Sequence, residues 1–180
     1  MMIPESDKPI YRKAAYEAIL SNLDNRPFNT DLFKALQTLD SAELCCGVFV
    51  TITKQGSLRG CIGCITSTDP LQTTIPTYAI QAAINDPRFP ALTRSEYEDI
   101  ELGLSILTPP TPISSPSDII IGQHGIIFNY QGSRSLFLPE VAPEQGWDLE
   151  ATLSQLANKA GMNASVCIEA QYEVFESIKF

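Results

Sequence analysis

The chain has 180 residues, a formal net charge of −9 and a pI near 4.5, which suits one domain or a larger lobe joined to a smaller one. Hydrophobic residues make up 44% and charged residues 18%, which excludes a disordered chain. The acidic balance disfavours general binding to nucleic acid or to anionic membranes.

No run is long and apolar enough to cross a bilayer, and Met1 to Lys13 carries no charged-then-apolar signal pattern. The cytoplasm is therefore the expected location, with the five cysteines (Cys45, Cys46, Cys61, Cys64, Cys167) as reduced thiols. Their odd number also argues against a complete disulfide framework.

Apolar spacing predicts a helix over Ile10–Leu23, broken by Asn25-Arg26-Pro27. A shorter helix follows over Thr30–Leu39, capped by Asn29 or Thr30. Gly47–Lys54 alternates β-branched and apolar residues and reads as a strand covered on much of both faces, closed by a Gln55-Gly56 turn. Leu58-Arg59-Gly60-Cys61-Ile62-Gly63 reads as a glycine-rich turn. Asp69 is expected to cap a helix that has Pro70 in its first turn and runs to about Asn85. Pro76 should kink that helix or delay its start. Asp86-Pro87-Arg88-Phe89-Pro90 ends it.

Ile100–Leu107 alternates as a strand, and the proline-rich stretch Thr108–Asp118 reads as an extended connection or lobe boundary. Ile119–Ile121 is a short strand. Gly125–Tyr130 and Ser135–Leu138 flank Gln131-Gly132-Ser133-Arg134 as a hairpin. Asp148 caps a helix over Leu149–Ala160 that Gly161 ends, and Val166–Phe175 is the final strand. Strands and helices without regular βαβ alternation give an α+β fold with antiparallel sheet.

The chemistry concentrates at Leu58–Gly63. Arg59 stands two residues from Cys61, where a guanidinium can stabilise a thiolate, and Gly60 and Gly63 permit close approach of a ligand or another chain. Cys61 is a candidate nucleophile or a small buried residue. Cys61-Ile62-Gly63-Cys64 has the spacing of thiol–disulfide oxidoreductases but lacks an adjoining helix start. Cys45, Cys46, Cys61 and Cys64 are poorly spaced for zinc.

His124, the single histidine, excludes sites that need two imidazoles. Asp86 and Arg88 read as a binding pair or as an ion pair that fixes a loop. Glu140 reads as a solvated acid, a general base, or a partner for Arg59 or Arg88. Trp147 reads as packing at a helix entry. No phosphate loop, dinucleotide fingerprint or zinc-protease motif occurs, so no cofactor or metal is expected.

Leu58-Arg59-Gly60-Cys61-Ile62-Gly63, Asp86-Pro87-Arg88-Phe89, His124-Gly125, Leu138-Pro139-Glu140-Val141-Ala142, Glu144-Gln145-Gly146-Trp147-Asp148 and Lys159-Ala160-Gly161 stand in one order. In that order they resemble the AMMECR-one domain family, called AmmeMemoRadiSam system protein A in prokaryotes. The resemblance covers nearly the whole chain. It implies one domain over 1–180 with two lobes, the larger an antiparallel sheet flanked by helices, the smaller built on a second sheet. It implies association with a Memo-like, dioxygenase-related protein and with a radical-SAM protein, but no established activity.

Two readings follow. In one, Leu58–Gly63 with Asp86 and Arg88 docks a protein partner, Arg59, Gly60, Gly63, Asp86 and Arg88 being the binding residues. In the other, Cys61 is a nucleophile, His124 its acid or base, Glu140 a further catalytic group, and Arg59 the anchor for a small anionic ligand.

Overall fold

The computed structural model describes residues 3–180. The chain divides into two compact units, one of residues up to Leu107 together with Ile178–Phe180, the other Thr108–Ser177. The division falls at the start of the proline-rich stretch.

The first unit contains helices α1 (Lys8–Leu23), α2 (Thr30–Gln37) and α3 (Leu71–Ile84), and strands β1 (Gly47–Lys54), β2 (Ser57–Cys64) and β3 (Ile100–Leu107). The second contains β4 (Thr111–Pro112), β5 (Gly125–Tyr130), β6 (Ser133–Phe137), α4 (Val141–Gln145), α5 (Leu149–Lys159) and β7 (Gln171–Phe175). Strand β8 (Ser177–Lys179) joins the first sheet. The two sheets are ordered β2-β1-β3-β8 and β4-β7-β5-β6. Every pair described in register, β1 with β2 and β3, and β7 and β6 with their neighbours, is antiparallel. The fold is α+β.

In the first unit, Val48, Val50 and Ile52 of β1 and Leu104 and Ile106 of β3 form a fully buried face. Ala14, Ala15 and Ala18 of α1 and Ala79, Ala82 and Ala83 of α3 pack into the same core. Alanine on both helices lets them lie close to the sheet and to each other. Asp7 ties the start of α1 to the chain before β1, accepting from Ser41 N–H at 3.1 Å and Ser41 Oγ at 2.6 Å. Tyr11 joins that network, its hydroxyl 3.0 Å from Ser41 Oγ, and burial pushes its pKa up to about 12. The second unit packs Leu153, Leu156 and Ala157 of α5 onto Ile126, Phe128 and Tyr172 of its sheet.

Several elements differ from the pattern-based expectation. Leu58–Gly63 is not a turn but most of β2, paired with β1 along its length. Asp69 does not cap α3. Pro70 holds the N-cap position, and the first N–H groups go to the preceding chain, Leu71 to Leu44 C=O at 2.9 Å and Gln72 to Ala42 C=O at 3.3 Å. A side-chain cap would have no donor left to serve there.

Helix α3 also runs through Pro76. The missing donor lies one turn from a start already anchored by those bonds, and Leu71, Ile75 and Ala79 are fully buried around it. Ile119–Ile121 is not a strand, because Ile120 spends its backbone groups on a local turn with Gln123 and His124. The hairpin turn is Gln131-Gly132 alone, both at positive φ, so β6 begins at Ser133 rather than Ser135. The strand expected over Val166–Phe175 as the last of the chain begins at Gln171, since residues 164–168 coil into a 3-10 helix capped by the Asn163 side chain, and a further strand, β8, follows it.

Candidate functional site

Strand β2 lies at the edge of the first sheet, and Cys61 pairs with Thr51 of β1. The thiol is part-buried, its Sγ 3.4 Å from Thr51 Oγ1. Gly60 and Gly63 have ordinary φ values, so they make no turn. What they permit is contact: a Cβ on Gly60 would sit 2.2 Å from the Ala82 carbonyl oxygen of α3, and one on Gly63 would sit 2.1 Å from the Val48 carbonyl oxygen. Both glycines are thus consumed inside the unit, by the helix and by the neighbouring strand.

Pairing slips by one residue between Ile52–Gly60 and Thr53–Leu58, which leaves Arg59 as the extra residue of a bulge. A bulge re-aims side chains. Leu58 comes onto the Thr53 side of the sheet, where it is 44% exposed. Arg59 reaches away from Cys61. Its Nε and Nη2 each donate to a Glu96 carboxylate oxygen at 3.1 Å, and Nη1 donates to Pro90 C=O at 2.9 Å. Glu96 also accepts from the Thr93 N–H at 3.0 Å and from Lys54 Nζ at 3.2 Å. The Arg59 guanidinium, followed by the Thr93 N–H, holds the Glu96 carboxyl far below the usual carboxylate range. Arg59 is therefore not poised beside the thiol, and its guanidinium is engaged rather than offered to a ligand.

The cation beside Cys61 is Arg88. Asp86 follows α3 and is buried, its Oδ2 accepting the Cys61 N–H at 2.8 Å. Arg88 grips the same carboxylate, Nη2 to Oδ2 at 2.7 Å and Nε to Oδ1 at 3.0 Å, and donates from Nη2 to Cys61 C=O at 3.3 Å. Together Asp86 and Arg88 occupy both backbone groups of Cys61 at the sheet edge, as a neighbouring strand would. The Arg88 guanidinium drives the Asp86 carboxyl well below its ordinary value; burial opposes the shift, and the Cys61 and Arg88 N–H groups add to it. The Arg88 side chain stays 55% exposed.

The remaining candidates lie in the second unit. His124 Nδ1 accepts the Ile120 N–H at 3.1 Å, which fixes the ring in its own turn and leaves Nε2 as the other nitrogen. Glu140 stands at the N-cap position of α4, with no side-chain cap bond. Trp147 packs against Phe137 with ring centroids 5.6 Å apart.

The Cys-x-x-Cys reading fails on geometry. Cys61 and Cys64 lie three residues apart in one strand and so face opposite sides of the sheet. Cys64 instead meets the Tyr78 hydroxyl, and Cys46 is buried, its thiol pushed up to about 11. Among the described residues no group of three or more His, Cys, Asp or Glu could hold a metal ion. Sequence reasoning missed Thr51, which faces Cys61, and Glu96, which neutralises Arg59. Thr93-x-x-Glu96 is a capping-box pattern, met here at a 3-10 helix over Arg94–Asp99, and was the legible signal for Glu96.

A family model described as AMMECR1 matches residues 12–180. The chain belongs to the AMMECR1 family. A protein of Methanothermobacter thermautotrophicus is 42% identical over 135 residues, covering 72% of this chain and 70% of that protein. A Thermococcus onnurineus protein is 39% identical over 139 residues, covering 72% and 68%. A Methanococcoides burtonii protein is 43% identical over 121 residues, and the match spans 60% of its length. The crystal structure of an uncharacterized protein from Pyrococcus horikoshii has a TM-score of 0.85 and 29% identity, covering 98% of this chain and 92% of that one. Among the described residues of this AMMECR1-family chain, no helix is long and apolar enough to cross a membrane.

Proposed function

We propose that this AMMECR1-family chain is a binding or accessory component that docks a protein partner on the sheet face around Leu58–Gly63. The partners implied by the family resemblance are a Memo-like, dioxygenase-related protein and a radical-SAM protein. One observation supports this reading most. Arg59, Asp86, Gly60 and Gly63 are spent on rigid internal contacts, while Leu58 at the same strand's start is left in water. A rigid strand that displays an apolar side chain at Leu58 and holds an exposed arginine, Arg88, at Cys61 is suited to recognition. A small anionic ligand, if the domain takes one, would meet Arg88 rather than Arg59. A cytoplasmic setting belongs to the same proposal, and the five free cysteines are in keeping with it.

The test is calorimetric titration with a purified Memo-like protein. Leu58→Asp should weaken binding about tenfold or more, and Cys61→Ala should leave it within about twofold. Unchanged affinity in Leu58→Asp sinks the docking surface.

A second reading makes the chain a thiol-dependent enzyme with Cys61 as nucleophile. What favours it is the Arg88 guanidinium bonded to the Cys61 carbonyl. It requires a Cys61 alkylation midpoint well below the free-thiol value of about 8.5, rising in Arg88→Ala.

A further inference from the structure

The second unit carries an apolar groove of about 720 Å³ that the proposed docking face does not use. Leu149, Leu153 and Ser154 of α5 form one wall, and Ala164, Cys167 and Ile168 of the 164–168 helix form the other. Ile168 stands at the groove 93% exposed, far beyond Ile120 at 53% or Phe33 at 50%. A β-branched apolar side chain held fully in water beside an apolar groove marks a contact surface.

Charge decides what the surface would accept. Glu150 lies in the lining, and the nearest charged residues in sequence, Asp118, Asp148 and Glu169, are also acidic. Residues 108–177 hold eight acidic residues and only two basic ones. Both basic residues are engaged elsewhere, Arg134 with Glu173 at 3.8 Å and Lys159 with the Leu136 carbonyl at 2.9 Å. A second copy of this chain docked groove to groove would set acid against acid. An apolar stripe flanked by lysine or arginine matches the apolar lining, Glu150 and the acidic balance of this unit, and a groove between two helical segments accepts such a stripe on a helix.

We propose that this groove docks a basic amphipathic helix of a partner protein, with Ile168 as the contact at its lip.

The probe is a fluorescent leucine–lysine peptide with helical spacing, its leucine–glutamate counterpart being the control. The basic peptide will be drawn to any acidic chain, so the deciding variant is Ile168→Asp. It removes the apolar lip while adding a negative charge. General electrostatic attraction predicts equal or tighter binding to Ile168→Asp; groove docking predicts binding about tenfold weaker. The basic peptide should also slow alkylation of Cys167 several-fold and leave that of exposed Cys45 unchanged, read by peptide mass spectrometry. Glu150→Lys should weaken binding independently. Equal or tighter binding to Ile168→Asp, an unprotected Cys167, or equal binding of the acidic peptide overturns the proposal. Self-association in ultracentrifugation that Ile168→Asp abolishes also overturns it, in favour of a second copy as occupant. Ile168 contributes almost nothing to the packed interior, so unchanged thermal unfolding of Ile168→Asp verifies that the variant is folded.

Discussion

Strand β2 of the first sheet and strand β6 of the second are both edge strands, and charged side chains engage both. At β2, Asp86 takes the Cys61 N–H and Arg88 takes the Cys61 C=O, and the two side chains neutralise each other. At β6, Lys159 alone takes the Leu136 C=O at 2.9 Å, its ammonium lying 4.7 Å from the Phe137 ring centroid. Each device blunts an edge that would otherwise invite another strand. The electrostatic outcomes are opposite in quality. The paired clamp drives the Asp86 carboxyl down and so favours its charged form, whereas partial burial lowers the Lys159 pKa and works against its charge. A clamp with its counter-ion built in stabilises the fold; a lone cation chiefly occupies an edge.

The strongest way to break that contrast is Gly60→Ala. The new methyl would meet the Ala82 carbonyl oxygen, a backbone atom that cannot rotate away. Helix α3 must then lift from β2, and Asp86, two residues beyond the helix end, is drawn off the Cys61 N–H. A loss of about 3 kcal/mol is expected in urea unfolding.

Asp86→Asn removes the charge from the clamp and should cost about 2 kcal/mol, since hydrogen bonds to charged groups are the stronger ones. The pH dependence fixes the cause. Asp86 and Glu96 both titrate lower in the folded state than in the unfolded one, where carboxylates titrate near about 4. Their contribution is complete above that value and is lost as pH falls toward the folded pKa values. Wild-type stability should therefore decline below about pH 4, and the decline should be shallower in Asp86→Asn.

Asp148→Ala should cost about 1 kcal/mol, because the Asp148 carboxylate accepts the Ala151 N–H at 2.8 Å and starts the helix that carries Lys159. The smallest effect is expected at Lys159→Met, within about 1 kcal/mol at neutral pH. The lost hydrogen bond is offset by relief of the ammonium's desolvation. A loss from Lys159→Met as large as that from Asp86→Asn would erase the distinction between the two clamps. Thermal unfolding of both variants side by side measures it.

Most regular elements were legible in the sequence because their signals are local. Gly47–Lys54 and Ile100–Leu107 follow from alternation of β-branched and apolar residues, and both strands have those bounds. Asn29 and Asp148 cap their helices as their side chains suggest, each accepting an N–H from the first turn. The proline-rich stretch after Leu107 marks where one compact unit gives way to the next. The ordered motifs were enough to point to the AMMECR1 family, whose model spans residues 12–180.

The candidate site was legible as a set of residues but not as a set of contacts. Sequence placed Arg59 next to Cys61; the bulge turned it toward Glu96, thirty-seven positions along the chain. Sequence read Gly60 and Gly63 as a turn; the packing of α3 and β1 against β2 is what requires them. The exposure of Ile168 likewise emerges only once residues 164–168 have coiled.

By itself, the sequence determined most of the strand and helix periods, the Asn29 and Asp148 caps and the family, because each of these is carried by residues within a few positions or by a fixed order of motifs. Only the tertiary structure decided that Arg88 rather than Arg59 stands at Cys61, and that Asp86 closes the sheet edge. Those pairings join residues 25 and 27 positions apart, and the packing of α3 against β2 brings them within hydrogen-bonding reach.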